Sequence, residues 1–232
     1  EVIPNAPKLT KDEESLIKLS FDFLKKDFVR IPGSLTKTSS IEMFHILSNN
    51  DSVWGKAIGI VDTSAANCFA WIYNYCSNER VAEHIKKNGN EIRCEYEIPN
   101  SHSKVFSSVL KFPTGISNRV FHGWFAWDKV DDYNGREAYV MALAPREEYG
   151  DGLSSLPPLP SFPNEGDTVL GTTIGIYVFE VLAPQITRVT FAQQADFKGS
   201  IPLFVMNSHV KSSLRIIERV VDKYKRKGSI VD

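Results

Sequence analysis

A strand, a glycine turn and an amphipathic helix follow one another without a gap near the end of this chain, and that succession constrains the fold more than any other feature. Thr187 to Asp196 reads as a strand, with Val189, Phe191, Gln193 and Ala195 on one face and Arg188, Thr190, Gln194 and Asp196 on the other. Phe197-Lys198-Gly199 turns the chain. From Ser200 to about Lys227 a helix then carries Leu203, Met206, Val210, Leu214, Ile217 and Val221 on one stripe at spacings of three and four. Gln193 thus sets an amide on an otherwise apolar strand face, an arrangement suited to a cavity that holds an apolar body and reads one polar group.

The rest of the chain supplies a sheet for that helix to cover. Strand patterns at about 91–98, 103–112, 119–130, 136–145, 168–181 and 186–196 are contiguous and mostly joined by turns, which implies an antiparallel sheet. Before them come a helix over 11–28, with Leu16, Leu19, Phe23 and Leu24 at helical spacing, and a loop over 29–40. A hairpin of 41–47 and 53–61 turns at Asn49-Asn50-Asp51. Ser64 and its neighbours offer an N-cap to two helical segments that break near 75–78 and stop at Asn88-Gly89-Asn90. The proline-rich stretch 146–167 is an irregular excursion, because strand pattern resumes at once after it. Within it Leu153, Leu156, Leu159 and Phe162 could touch a membrane or a partner, or cover the sheet. There is no internal repeat, and the chain reads as a single α+β domain over 1–232.

Composition removes several function classes. The chain has 232 residues, 42% of them apolar, and a net charge of −1, which argues against bulk electrostatic binding to nucleic acid. No apolar stretch reaches the roughly 20 residues of a membrane-spanning helix. The sequence begins at Glu1 rather than Met and reads as a processed chain or a piece of a longer one. Three cysteines without tight spacing, Cys68, Cys76 and Cys94, fit a reducing, cytoplasmic setting. The histidines, His45, His84, His102, His122 and His209, have no metal-ligand spacing, so no metal or cofactor is expected. G-x-S-x-G, P-loop and G-x-G-x-x-G motifs are absent, Ser107-Ser108 near His102 is a local coincidence, and Asp131-Asp132 and Glu147-Glu148 read as solvated turn carboxylates. Lys223, Lys225, Arg226 and Lys227 cluster where the last helix ends, which suits its dipole or anionic headgroups.

Four blocks, in order across about 40–226, resemble the START lipid-transfer domain family. They are Val53-Trp54-Gly55-Lys56 with Gly59 to Ser64, Asn118-Arg119-Val120-Phe121 with Trp127, Thr187 to Gly199, and Ile201-Pro202 to Asn207. Two positions depart from the family: Asn118 and Val120 flank Arg119 where it has Pro and Asp, and Val169 stands where an Arg is common. The resemblance implies a helix-grip fold, a curved antiparallel sheet wrapped around the C-terminal helix with an internal apolar tunnel. It implies ligand contacts from Phe106, Ser108, Phe121, Phe125, Tyr177, Phe191, Gln193, Met206, Val210 and Leu214, and a gate at Pro113, Gly115, Ile116 and Arg119. Gly123 would leave room between Phe121 and Phe125, and Phe106 and Phe125 occupy the places of an acid–arginine pair found in some sterol-binding members, so a more apolar tunnel is expected. Gln193 could bond a ligand head or a neighbouring strand group. The function implied is non-enzymatic binding of one lipid or other hydrophobic molecule and its transfer between membranes, with transient membrane contact and a peripheral place at organelle membranes. The alternatives are a lipid-sensing module attached to other domains, or a cyclase- or hydrolase-type enzyme using Gln193, Tyr177 or His209.

Overall fold

The computed structural model describes residues 8–31, 41–46, 52–88, 92–98, 102–148 and 168–225. The 149–163 excursion, the Asn49–Asp51 turn, Arg226 and Lys227, and the side chain of His84 lie outside the described residues. No described helix is long and apolar enough to cross a membrane.

Helix α1 (Lys11–Ser20) starts at a capping box: Glu13 N donates to Thr10 Oγ1 at 3.2 Å and Thr10 N to Glu13 Oε2 at 2.8 Å. The helical pattern expected to run to residue 28 tightens into a 3-10 turn over Phe21–Lys25. The buried stripe is Glu13, Leu16, Ile17 and Ser20, while Leu19, at helical spacing from Leu16, is exposed. Glu13 is wholly buried because Ser103 Oγ donates to its Oε1, and Trp124 Nε1 in turn donates to Ser103 Oγ at 3.0 Å. This network docks α1 on the outer sheet face, where Ala126, Ala138, Ala142 and Ala144 let the helix come close.

Among the described residues nine strands form one sheet: β1 (Val29–Arg30), β2 (Glu42–Ile46), β3 (Ser52–Val61), β4 (Ile92–Glu97), β5 (Ser103–Leu110), β6 (Asn118–Tyr133), β7 (Arg136–Pro145), β8 (Thr168–Ala183) and β9 (Ile186–Asp196). Their order is β1-β2-β3-β9-β8-β7-β6-β5-β4. Val29–Arg30, expected as loop, adds a short edge strand to the β2–β3 hairpin. Asp131 and Asp132 lie at the exposed end of β6 rather than in a turn; the turn is Asn134-Gly135, both at positive φ, which suits a tight hairpin. All neighbouring strands pair antiparallel, with one addition: Asn118–Phe121 of β6 pairs in parallel with Thr168–Gly171 of β8. The cause is length. Strand β7 reaches only as far as the Gly123–Pro145 pair, so the starts of the two 16-residue strands β6 and β8 meet beyond it and the sheet curls.

Between β3 and β4 lie α2 (Ala65–Tyr73), capped by Ser64 Oγ, and α3 (Asn78–Asn88). The single C-terminal helix expected over 200–227 is two, α4 (Leu203–Leu214) and α5 (Ile216–Tyr224), and the break follows the Ser212-Ser213 pair, a common setting for a kink. Both helices lie across β3. They come this close because β3 has no side chain at two points: a Cβ on Gly55 would stand 2.5 Å from Val210 Cγ1, and one on Gly59 would stand 2.6 Å from Ile217 Cγ2. Phe179, Phe191, Leu214 and Ile217, each at most 2% exposed, anchor the inner core that results.

Candidate ligand cavity

Inside that core lies a cavity of about 330 Å³. Strand alternation builds one wall. Phe106, Ser108 and Leu110 of β5 share a face, as do Phe121 and Phe125 of β6, and all five line the cavity. Tyr177 of β8 and Phe191 of β9, stacked at 4.0 Å, continue the wall. Helix α4 closes the other side with Val210 and Leu214 and with a polar row of Ser208, Ser212 and Ser213. Of the expected contact residues Met206 alone stands outside the wall: one turn before Val210 on the same stripe, it is buried in the inner core.

Gln193 lines the cavity and is tied on both ends. Its Nε2 donates to Thr173 Oγ1 at 2.7 Å, and Ser213 Oγ donates to its Oε1. The amide therefore couples the sheet to α4 while remaining part of the wall. The space at Gly123 is filled by an aromatic ring, since a Cβ there would stand 2.2 Å from Phe106 Cε1. Phe106 and Phe125 stack at 4.6 Å.

The expectation of a more apolar tunnel needs correction, because three arginines reach this cavity: Arg80 from α3, Arg93 from β4 and Arg219 from α5. Arg80 is 5% exposed and its Nη1 donates to the carbonyls of Trp71 at 3.1 Å and Ile72 at 2.5 Å. Burial first, then the charge of Arg93, lowers its pKa to about 10. Sequence reasoning missed all three. Arg80 sits in a polar helix, and on β4 Arg93 alternates with Cys94 and Tyr96 as a solvent-facing residue would. The pairing of Arg93 with Ser108, a wall residue, turns it inward.

The four expected gate residues lie at one end of the fold and outside the cavity wall. Pro113 and Gly115 are exposed on a turn closed by Ile116 N donating to Pro113 O at 3.0 Å, and Ile116 packs against the inner core. Arg119 is 4% exposed. Its Nε donates to Phe197 O at 2.7 Å, its Nη2 to Lys198 O at 3.0 Å and its Nη1 to Ser117 O. It fastens the 112–118 loop to the β9–α4 turn. Phe112 of that loop stacks at 4.1 Å on His209, a cavity residue whose pKa is lowered by burial and then by the nearby Arg119 charge.

Other candidates fall away from the cavity. Ser107 Oγ lies 2.8 Å from His122 Nδ1, but Ser107 alternates with the wall residues Phe106 and Ser108 and so faces the opposite side. His102 Nδ1 lies 3.0 Å from Trp127 O and the two rings stack. Lys223 pairs with Glu79 at 2.6 Å. Among the described residues no His, Cys, Asp or Glu cluster could hold a metal.

No protein-family model and no curated protein matches this sequence. Solved structures do match. Human StAR-related lipid transfer protein 5 superposes with a TM-score of 0.61 at 14% identity, over 92% of this chain and 96% of that one. The human StarD13 lipid transfer and protein localization domain gives 0.59 at 14% identity, over 94% and 98%. A StAR-related lipid transfer protein fragment from Xanthomonas axonopodis gives 0.58 at 13% identity, over 87% and 100%. With its curled antiparallel sheet gripping the C-terminal helices, the chain has the helix-grip fold of the StAR-related lipid-transfer (START) domains.

Proposed function

We propose that this chain binds one lipid or other hydrophobic molecule in the cavity and carries it between membranes without altering it. The observation that supports this reading is the wall itself: Phe106, Phe121, Phe125, Tyr177 and Phe191 face a space of about 330 Å³ instead of filling it. Apolar ligand surface moved from water into such a site contributes about 25 cal/mol per Å². Ligand contacts would come from these rings, Ser108, Val210, Leu214 and Gln193, and the 112–118 loop with Arg119 would act as the gate. The exposed Leu203 and Phe204 at the start of α4, close in sequence to the turn that Arg119 holds, offer an apolar tip for transient membrane contact. The lipid-transfer names of the structural neighbours agree with this reading.

Native mass spectrometry of the purified chain, with extraction of any bound molecule, followed by transfer between donor and acceptor vesicles, tests it. One stoichiometric hydrophobic ligand and acceleration of its transfer are expected. A chain that takes up no member of a broad lipid panel would overturn the proposal, and uptake without transfer would replace carriage by sensing.

A further inference from the structure

Two hydroxyls on the cavity wall narrow the class of ligand. Tyr177 of β8 is 8% exposed and Ser108 of β5 is 4% exposed, yet neither hydroxyl has a hydrogen-bond partner among the described residues. Neither is sealed into packed protein, and both residues line the cavity. The wall residues Gln193 and Thr173 differ, because the protein itself satisfies them. Gln193 is held by Thr173 and Ser213, and Thr173 Oγ1 donates to Gln194 O at 3.0 Å.

Both free hydroxyls are held in place by their surroundings. The Tyr177 ring lies against Phe191 with centroids 4.0 Å apart and planes 7° apart, so the phenol cannot turn away without unstacking. Ser108 pairs with Arg93 of β4 and Phe121 of β6, and alternation sets its side chain on the face of Phe106 and Leu110. Burial pushes the Tyr177 hydroxyl well above the usual phenol range, so it stays protonated and able to donate. A buried hydroxyl left without a partner is unfavourable. A ligand oxygen would replace any water that served these groups, whereas a hydrocarbon would displace that water and offer nothing in return. Size narrows the choice further. About 330 Å³ is near the lower end of the roughly 300–1,000 Å³ of small-molecule pockets, which suits a single chain or a few rings better than a lipid with two long acyl chains.

We infer that the cavity selects an oxygenated hydrophobe of one chain or a few rings, which offers a hydroxyl or carbonyl oxygen to Tyr177 or Ser108, lays its apolar body along the Phe106–Phe125 wall, and is preferred to a hydrocarbon of the same shape. The inference deepens the proposed function and rests on it.

Three compounds with one carbon skeleton, fluorenone, fluorenol and fluorene, test it on the full chain stripped of bound lipid. Each is titrated against a hydrophobic dye held in the cavity. The ketone or the alcohol is expected to bind tenfold or more tighter than fluorene, a preference of about 1.4 kcal/mol. That ratio is expected to fall at least fivefold in the Tyr177→Phe/Ser108→Ala double variant, which keeps the ring on Phe191 and the Cβ on β5. Taking the ratio within each protein cancels the compounds' different solubilities and any general damage to the fold. The unfolding midpoint of the double variant is expected to stay at the parent's value, since neither hydroxyl bonds the protein. Fluorene binding as tightly as both oxygenated compounds would overturn the inference and leave the hydrophobic cavity standing. So would a preference that survives in the double variant, a fall in its midpoint of more than about 4 °C, or a dye that none of the three displaces. A dye that does not bind at all would overturn the cavity reading, and this inference with it.

Discussion

Replacing Arg119 with Met keeps an apolar stem of similar reach and deletes the fork, so it isolates the hydrogen bonds that fasten the loop to the turn. The magnitude follows from what becomes of the three acceptors. Ser117 and Lys198 are exposed, so water can take over at their carbonyls and each loss is about 0.5–1 kcal/mol. Phe197 is 2% exposed, and its carbonyl, now bonded at 2.7 Å, would be left buried without a donor at a cost of about 1–3 kcal/mol. The total is about 3 kcal/mol, which for a chain of this length lowers Tm by about 6–12 °C. Urea unfolding followed by tryptophan fluorescence should show the same loss as a lower midpoint at unchanged slope. Arg119→Lys should recover only part of it, because a single ammonium cannot span three diverging carbonyls. A loss below about 1 kcal/mol in Arg119→Met would refute the clamp and show that water already shares these carbonyls.

Two further outcomes are expected. Gly123→Ala places a Cβ 2.2 Å from Phe106 Cε1, in a ring already stacked on Phe125, and should cost about 1–3 kcal/mol in denaturation while driving Phe106 toward the cavity and reducing hydrophobic-dye uptake; unchanged stability and uptake would show the ring to be free to move. His209 titrates below its unfolded value of 6.5 because of burial and then Arg119, so the folded state binds its proton less readily than the unfolded state. The stability this gives is present above 6.5 and is lost as pH falls through the folded pKa. Unfolding midpoints followed from about pH 8 to 5 should therefore fall less steeply in His209→Phe than in the parent, and parallel curves would contradict this.

How far the candidate site could be read in advance differs residue by residue. The aromatic wall was legible because β5, β6 and β9 alternate cleanly, and alternation fixes which side chains share a face. Gln193 stood out for the same reason, although its partners, Thr173 on β8 and Ser213 on α4, could come only from the packed structure. The arginines were illegible. A guanidinium looks like a solvated group wherever it stands, and Arg80 turns inward only because α2 brings the Trp71 and Ile72 carbonyls to meet it.

The local stretches of the chain determined most of the secondary structure and its order: the strand limits of β5 to β9, the Asn134-Gly135 and Lys198-Gly199 turns at positive φ, and the Ser64 cap are decided by neighbours a few residues away. Tertiary structure alone decided the rest. The parallel contact of β6 with β8, the burial of Glu13 against Ser103, and the meeting of Arg80, Arg93 and Arg219 at one cavity all join segments far apart in the chain. Periodicity records which residues share a face. Which face is buried, and beside what charge, is set by the elements that pack against it.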